Sequence, residues 1–188
     1  MSTLSRFSAV DLFKFNNINL DPLTETYSIS SYLQYMAEYP DYFYKISNNS
    51  GQMCGYLMSK HEGIPSIPIN KIESLYHGFL YLTRHVTAIT VAPEYRRLGI
   101  AKKFMDILEF MSEEYKCFFV DLFVRKSNII AIQMYKSLGY SVYRTVIDYY
   151  TGNDGEDAYD MRKALSHDLL GITVVPLKHA ITSDQLEW

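Results

Sequence analysis

From residue 84 to residue 164, blocks rich in β-branched and aromatic residues alternate with blocks whose apolar residues recur every third or fourth position. Residues 84–91, with the core His-Val-Thr-Ala-Ile-Thr-Val, predict a strand, because branched side chains suit a pleated surface. Residues 97–115 predict a helix with Ile100, Phe104, Ile107, Leu108 and Met111 on one face. Residues 118–124 are almost continuously apolar, the pattern of a strand covered on both faces. A helix over 127–138 follows, closed by Gly139 as a left-handed cap. Residues 140–149 predict a strand, 151–155 a turn, and 158–164 a strand returning as a hairpin. Strand, helix, strand, helix, strand implies crossover connections and a mixed sheet flanked by helices, so the fold class is α/β (α+β).

The N-terminal half reads less sharply. Residues 8–16 carry Val10, Leu12, Phe13 and Phe15 behind Ser8, which predicts a short capped helix. Asp21-Pro22 interrupts it, since proline disfavours a helical residue before it. A second helix over 29–37 stops before Pro40, leaving a polar elbow at 19–25. Residues 42–47 and 53–59 predict neighbouring strands across Asn48-Asn49-Ser50-Gly51. The proline-containing stretch 61–77 reads as a loop insertion. Past residue 166 periodicity fades, which predicts one domain over 1–165 and a loosely held tail over 166–188.

Composition narrows the class. A chain of 188 residues suits one domain at roughly 150 residues each, and 48% hydrophobic content supplies its core. A net charge of −3 argues against a nucleic-acid-binding surface. Two cysteines, Cys54 and Cys117, are too few for a metal site or a disulfide scaffold, and read as reduced thiols of a cytoplasmic protein. No apolar run reaches the ~18 residues of a membrane span, and the start lacks a signal peptide's apolar core. The 17 tyrosines against 10 phenylalanines point to surfaces both apolar and hydrogen-bonding, as in grooves and interfaces.

The chemistry concentrates in Val91-Ala92-Pro93-Glu94-Tyr95-Arg96-Arg97-Leu98-Gly99-Ile100-Ala101. A strand ends, a turn follows and a helix starts, and a helix N-terminus presents unpaired N–H groups and a positive dipole end. Gly99 and Ala101 leave the backbone approachable, and Arg96 and Arg97 add cations, so the segment suits a pyrophosphate. It equally suits an ordinary helix start with surface arginines, and the spacing does not separate the two. It is neither a P-loop nor a dinucleotide fingerprint.

Arg96-x-x-Gly99-x-Ala101 after a strand resembles the acetyl-CoA signature of the GNAT acetyltransferases. Longer blocks resemble one subfamily: residues 15–27, His85-Val86-Thr87-Ala88, residues 119–125, Ser127-Asn128, and Met134-Tyr135-Lys136-x-Leu138-Gly139-Tyr140 with its continuation to Val146. That subfamily is the catalytic subunits of NatB, which acetylate nascent chains beginning Met-Asp, Met-Glu, Met-Asn or Met-Gln. The match covers most of residues 1–165; 61–82 is longer than usual there, and the tail matches no family motif.

The resemblance implies a GNAT fold, acetyl-CoA as co-substrate and no metal. It implies a heterodimer with a large helical auxiliary subunit docked on the first helix pair, and through it a link to the ribosome. Ile89, Thr90 and Val91 are the expected carbonyl and pantetheine contacts, and Arg96, Arg97, Leu98, Gly99, Ile100 and Ala101 the pyrophosphate loop. Tyr135 is the expected proton donor to the leaving thiolate, its alternative a core tyrosine. Asn128 is either a further CoA contact or a helix cap. His85 and Thr87, which alternation puts on one strand face, are expected to read the second substrate residue, with His85 also able to relay the amine proton. Glu25, as weak base or amine ligand, and Tyr27 form one groove wall. Tyr149, Tyr150 and Gly152 form the other, with the aromatic rings clamping the initiator methionine. The acidic run at 154–157 reads as a solvated turn. Two other activities fit the signature: a GNAT acting on lysines or small amines, and an acetyl-CoA-binding subunit without turnover. A lysine side chain, with a pKa near ~10.4, would need a stronger base than these residues offer.

Overall fold

The computed structural model describes residues 2–15, 18–20, 23–64, 81–152 and 155–186. Contacts divide the chain into two compact units, Met1–Lys60 with Val86–Leu108, and His61–His85 with Glu109–Trp188. The expected elbow residues Asp21 and Pro22, and most of the expected 61–77 insertion, lie outside the described residues.

The first unit begins with a strand the periodicity did not predict, β1 at Thr3–Arg6, antiparallel to β2 at Phe43–Ser47. β2 pairs antiparallel with β3, Met53–Ile64, across the expected turn. β3 therefore continues through His61, where the sequence predicts a loop. β4 spans Tyr81–Val91, three residues earlier than expected, and its second half belongs to this unit. The predicted 8–16 helix is a shorter 3-10 turn, Ala9–Phe13. The Asp11 carboxylate accepts from the Ser8 amide at 2.9 Å and its hydroxyl at 2.7 Å, closing the turn on itself. α1 spans Ile29–Glu38, close to the predicted 29–37, and the structure adds Ser28 as its cap. These elements enclose an aromatic core of Phe7, Phe15, Tyr32, Phe43 and Tyr56, in which Phe7 stacks on Phe43 at 4.2 Å.

Asp11 ties this corner together. Burial works to raise its carboxyl, but hydrogen bonds from Lys45 and Ser8 outweigh it and hold the group below the usual 3.8. A depressed folded value means the group stabilises the fold above pH 3.8 and loses that contribution as pH falls through the folded value. Asp11→Asn is expected to cost about 1–3 kcal/mol at pH 7. Urea melts of wild type and variant should converge as pH drops below 3.8; a constant gap would reject the assignment.

In the second unit, the first half of β4 lies beside β5, Phe119–Arg125, with the Phe118 amide bonded to the Leu82 carbonyl at 2.9 Å. Strand order continues β5-β7-β6-β8, with β6 at Ser141–Tyr150, β7 at Glu156–Ala164 and β8 at Ile181–Thr182. β7 is antiparallel to both neighbours; β8 runs parallel to β6. The tail is thus not loosely held: β8 completes the sheet and Leu186 is buried on Val146 and Ala158. The acidic run is also corrected where it is described. Glu156 and Asp157 belong to β7, where Glu156 accepts from the Ser127 amide and hydroxyl and Asp157 from the Asp148 amide and Lys126.

α2 spans Ile100–Glu114 and α3 spans Ile129–Ser137. α2 starts later than the predicted residue 97 because Arg97 and Gly99 have φ of +60° and +78°, which a right-handed helix excludes. Gly139 closes α3 with φ +95°, as its position predicted.

Candidate functional site

In the first unit, the end of β4 and the start of α2 are held by backbone bonds. The Ala92 amide donates to the Cys54 carbonyl at 2.9 Å, and the Arg96 Nε reaches back to the Val91 carbonyl at 3.1 Å. The two left-handed residues then turn the chain so that α2 opens outward. Its first i to i+4 bond is Lys103 to Gly99 at 2.9 Å, so the amides of Ile100, Ala101 and Lys102 precede the helical ladder. Arg96, Arg97, Leu98 and Gly99 are exposed around them, while Ile100 anchors the turn in the core. First-turn amides that precede the helical ladder at a positive helix end, flanked by two arginines, fit a diphosphate. Within the protein, Gly99 answers to its φ of +78° and not to crowding, since a Cβ there meets nothing within 4 Å.

Sequence reading passed over Gly55. A Cβ on Gly55 would lie 2.6 Å from the Thr90 carbonyl oxygen and 3.3 Å from the Val91 Cα. Glycine at this position lets β3 close onto the last residues of β4. Of the expected contacts there, the Thr90 side chain is buried, and Ile89 and Val91 are half-buried. An isolated glycine inside a strand pattern was the available signal.

Also in the first unit, Tyr27 packs edge-on against Tyr32 at 5.6 Å and its hydroxyl donates to the Thr87 carbonyl at 3.4 Å. Burial first, then the charge of half-buried Glu25, pushes the Tyr27 phenol up to about 12, so it stays a neutral donor at any ordinary pH. The Thr87 hydroxyl is bonded to the Tyr35 hydroxyl, a partner sequence reading missed. Tyr32 and Tyr35, one helical turn apart on α1, thus seat this wall. Tyr32 contacts the Tyr56 hydroxyl at 3.3 Å, and Tyr56 donates to Asn19 at 2.9 Å.

In the second unit, His85 is only 5% exposed and its Nδ1 lies 2.8 Å from Asp121 Oδ2. Phe123 packs on the imidazole at 5.3 Å, Tyr149 stacks on Phe123 at 4.5 Å, and Tyr150 meets Tyr149 edge-on at 5.0 Å. The Arg125 guanidinium lies 4.0 Å over the Tyr150 ring and 3.7 Å from Glu156. The expected residues His85, Tyr149 and Tyr150 are therefore joined by three unexpected ones, Asp121, Phe123 and Arg125. All three alternate on β5, and an acid inside the apolar run 119–124 was the readable clue. Gly152, with φ +113°, turns the chain just beyond.

α3 carries the last two candidates. The Asn128 side-chain oxygen accepts from the Ala131 amide at 3.1 Å, making it the N-cap. Tyr135 is buried edge-on to Tyr140 at 5.8 Å, and its hydroxyl has no hydrogen-bond partner among the described residues. Burial pushes this phenol up, so it holds its proton as an acid. No group of three or more His, Cys, Asp or Glu that could hold a metal occurs among the described residues, and no described helix is long and apolar enough to cross a membrane.

The sequence profile of the acetyltransferase (GNAT) family matches residues 12–140. The chain is 49% identical to the "N-terminal acetyltransferase B complex catalytic subunit NAA20" of Arabidopsis thaliana, over 100% of this chain and 99% of that one. It is 52% identical to "N-alpha-acetyltransferase 20" of Dictyostelium discoideum, over 96% of each. Among solved structures, Chaetomium thermophilum Naa20 in complex with a bisubstrate analogue aligns with a TM-score of 0.85 at 40% identity, covering 97% of both chains.

Proposed function

The chain belongs to the GNAT acetyltransferases and, within them, to the NatB catalytic subunits; from that premise we propose how its own residues divide the work and which chain ends it takes. It is a protein N-terminal α-acetyltransferase with acetyl-CoA as co-substrate. Its substrates are chains beginning Met-Asp, Met-Glu, Met-Asn or Met-Gln. The full-length likeness to NatB catalytic subunits carries this reading.

Acetyl-CoA supplies an activated thioester. The amides of Ile100 and Ala101, with Arg96 and Arg97, hold the diphosphate, and Gly99 keeps that turn open. Backbone groups of Ile89, Thr90 and Val91 align the pantetheine arm and polarise the carbonyl, where most of the rate enhancement arises. The α-amine, with a pKa of ~7.7–8.0, is already neutral in useful fraction near pH 7. A weak base suffices, and Glu25 or a water relayed from His85 serves. Tyr135 donates its proton to the departing sulfur. His85 hydrogen-bonds the second residue of the substrate, and Tyr149 and Tyr150 pack around the first. Asn128 caps α3, which leaves its amide nitrogen for the coenzyme.

A large helical auxiliary subunit docks on the first unit, where Val10, Phe13, Leu20, Ile29 and Leu33 are exposed apolar side chains and Phe13 is 79% exposed. Through that subunit the enzyme meets nascent chains at the ribosome in the cytoplasm.

The test is acetylation of a peptide panel varying residues one and two, by the full chain with and without its auxiliary subunit. The four Met-initiated classes are expected to exceed Ser-, Ala- and Met-Leu-initiated peptides at least about tenfold in kcat/KM, or roughly 1.4 kcal/mol. Equal rates across the panel, or preferred acetylation of internal lysines, would reject the reading.

A further inference from the structure

The tail closes back on the wall given above to the first substrate residue. β8 lies along the outer edge of β6, pairing Ile181 with Val146 and Thr182 with Ile147. A 3-10 turn follows at Ser183–Gln185, in which the Gln185 side-chain oxygen accepts from the Thr182 amide at 3.0 Å and its hydroxyl at 3.2 Å. This turn returns Leu186 to the sheet, where it is buried with Val146 and Ala158. Phe123, Tyr149, Tyr150 and Ile181 pack against that same cluster.

The backbone ladder is interrupted here. Val146 faces Ala158 on β7, yet the next pair is Tyr150 with Glu156, so Ile147, Asp148 and Tyr149 stand against Asp157 alone. Asp148 takes a left-handed φ of +50° within this bulge. A bulge re-aims side chains and breaks the pairing that would otherwise fix them, so the rings of Tyr149 and Tyr150 depend on packing. Some of that packing comes from β5, through Phe123 stacked on Tyr149 and Arg125 over Tyr150. The tail adds to it from the other edge of β6. Upstream, the tail has its own anchors: Asp168 accepts from the amides of Ile172 and Thr173, and the Leu177 amide donates to the Tyr143 carbonyl at 2.7 Å. Loss of the Leu186 side chain leaves those anchors intact.

We propose that Leu186 is a positioning residue for the peptide substrate, acting through Tyr149 and Tyr150, so that the tail sets how firmly the first substrate residue is held. This deepens the role given to the two tyrosines and rests on it. Truncating Leu186 leaves a cavity into which its neighbours relax, and the rings beside the bulge have the least backbone support against moving. The groups assigned to the diphosphate and pantetheine lie on β4 and α2, away from this cluster.

The experiment measures kcat and the KM values for acetyl-CoA and a Met-Asp peptide, using the full chain purified with its auxiliary subunit. Leu186→Ala is expected to raise the peptide KM about fivefold, with kcat and the KM for acetyl-CoA within about twofold of wild type. Leu186→Met, which keeps the volume, should hold the peptide KM within about twofold of wild type. Loss of folded enzyme alone lowers kcat and leaves both KM values unchanged, so the peptide KM separates positioning from stability. An unchanged peptide KM in Leu186→Ala, or an equal rise in both KM values, would overturn the proposal. Replacing Tyr149 and Tyr150 together by alanine separates the two levels. If that variant keeps the wild-type peptide KM, the role given to the tyrosines fails. If its peptide KM rises while Leu186→Ala matches wild type, only the role of Leu186 fails. Adding Leu186→Ala to the double variant should raise the peptide KM no further, and a further rise of about fivefold would show that Leu186 does not act through the rings.

Discussion

Tyr135→Phe is expected to lower kcat about a hundredfold while leaving the KM of both substrates within about twofold. The substitution removes one oxygen from a buried ring whose hydroxyl has no protein hydrogen bond among the described residues, so no structural bond is lost. The edge-on contact with Tyr140 at 5.8 Å depends on the ring and survives in phenylalanine. Thermal melts should therefore superimpose. Because burial raises the phenol, wild-type activity should not fall from loss of this acid as pH rises through the neutral range. Unchanged turnover in the variant, with acetyl-CoA saturating, would reduce Tyr135 to a packing residue.

Gly55→Ala should damage the enzyme at a point no catalytic argument would select. The new methyl would lie 2.6 Å from the Thr90 carbonyl oxygen, 3.3 Å from the Val91 Cα and 3.4 Å from a ring carbon of Phe104. Two of these three are backbone atoms, which cannot rotate away, so the strands must part. Overpacking of this kind costs about 1–3 kcal/mol, or roughly 2–12 °C in melting temperature for a chain of this size. The displaced residues lead directly into the Arg97 and Gly99 turn, so the KM for acetyl-CoA should rise at least about tenfold. Gly99→Ala is the contrast. Its methyl would meet nothing, and the left-handed φ of +78° alone sets its cost at about 1 kcal/mol. Wild-type melting and KM in Gly55→Ala would show that β3 does not constrain the end of β4.

Much of the fold was legible where local signals agree. The β4 to α2 segment combines a β-branched block, a turn and a helical apolar stripe, and α3 carries both its Asn128 cap and its Gly139 stop. The turn at Arg97 and Gly99 was readable for the same reason: it depends on consecutive backbone. Boundaries failed where a side chain intervened. Asp11 closed a 3-10 turn on Ser8 where apolar spacing suggested a helix. β1 has only four residues, mostly polar, and exists because β2 lies beside it.

Sequence alone determined the family, the order of the main elements and the strand, turn and helix frame of residues 91–101, since each is written in residues adjacent along the chain. Tertiary structure decided which partners those residues meet. His85 and Asp121 stand 36 positions apart and are brought together by β4 and β5. Thr87 is bound by Tyr35 from α1, and β8, only two residues long, is a strand because β6 offers it an edge. Propensity and periodicity act over a few residues, whereas these pairings depend on strand register and on the cost of leaving polar groups unpaired when buried.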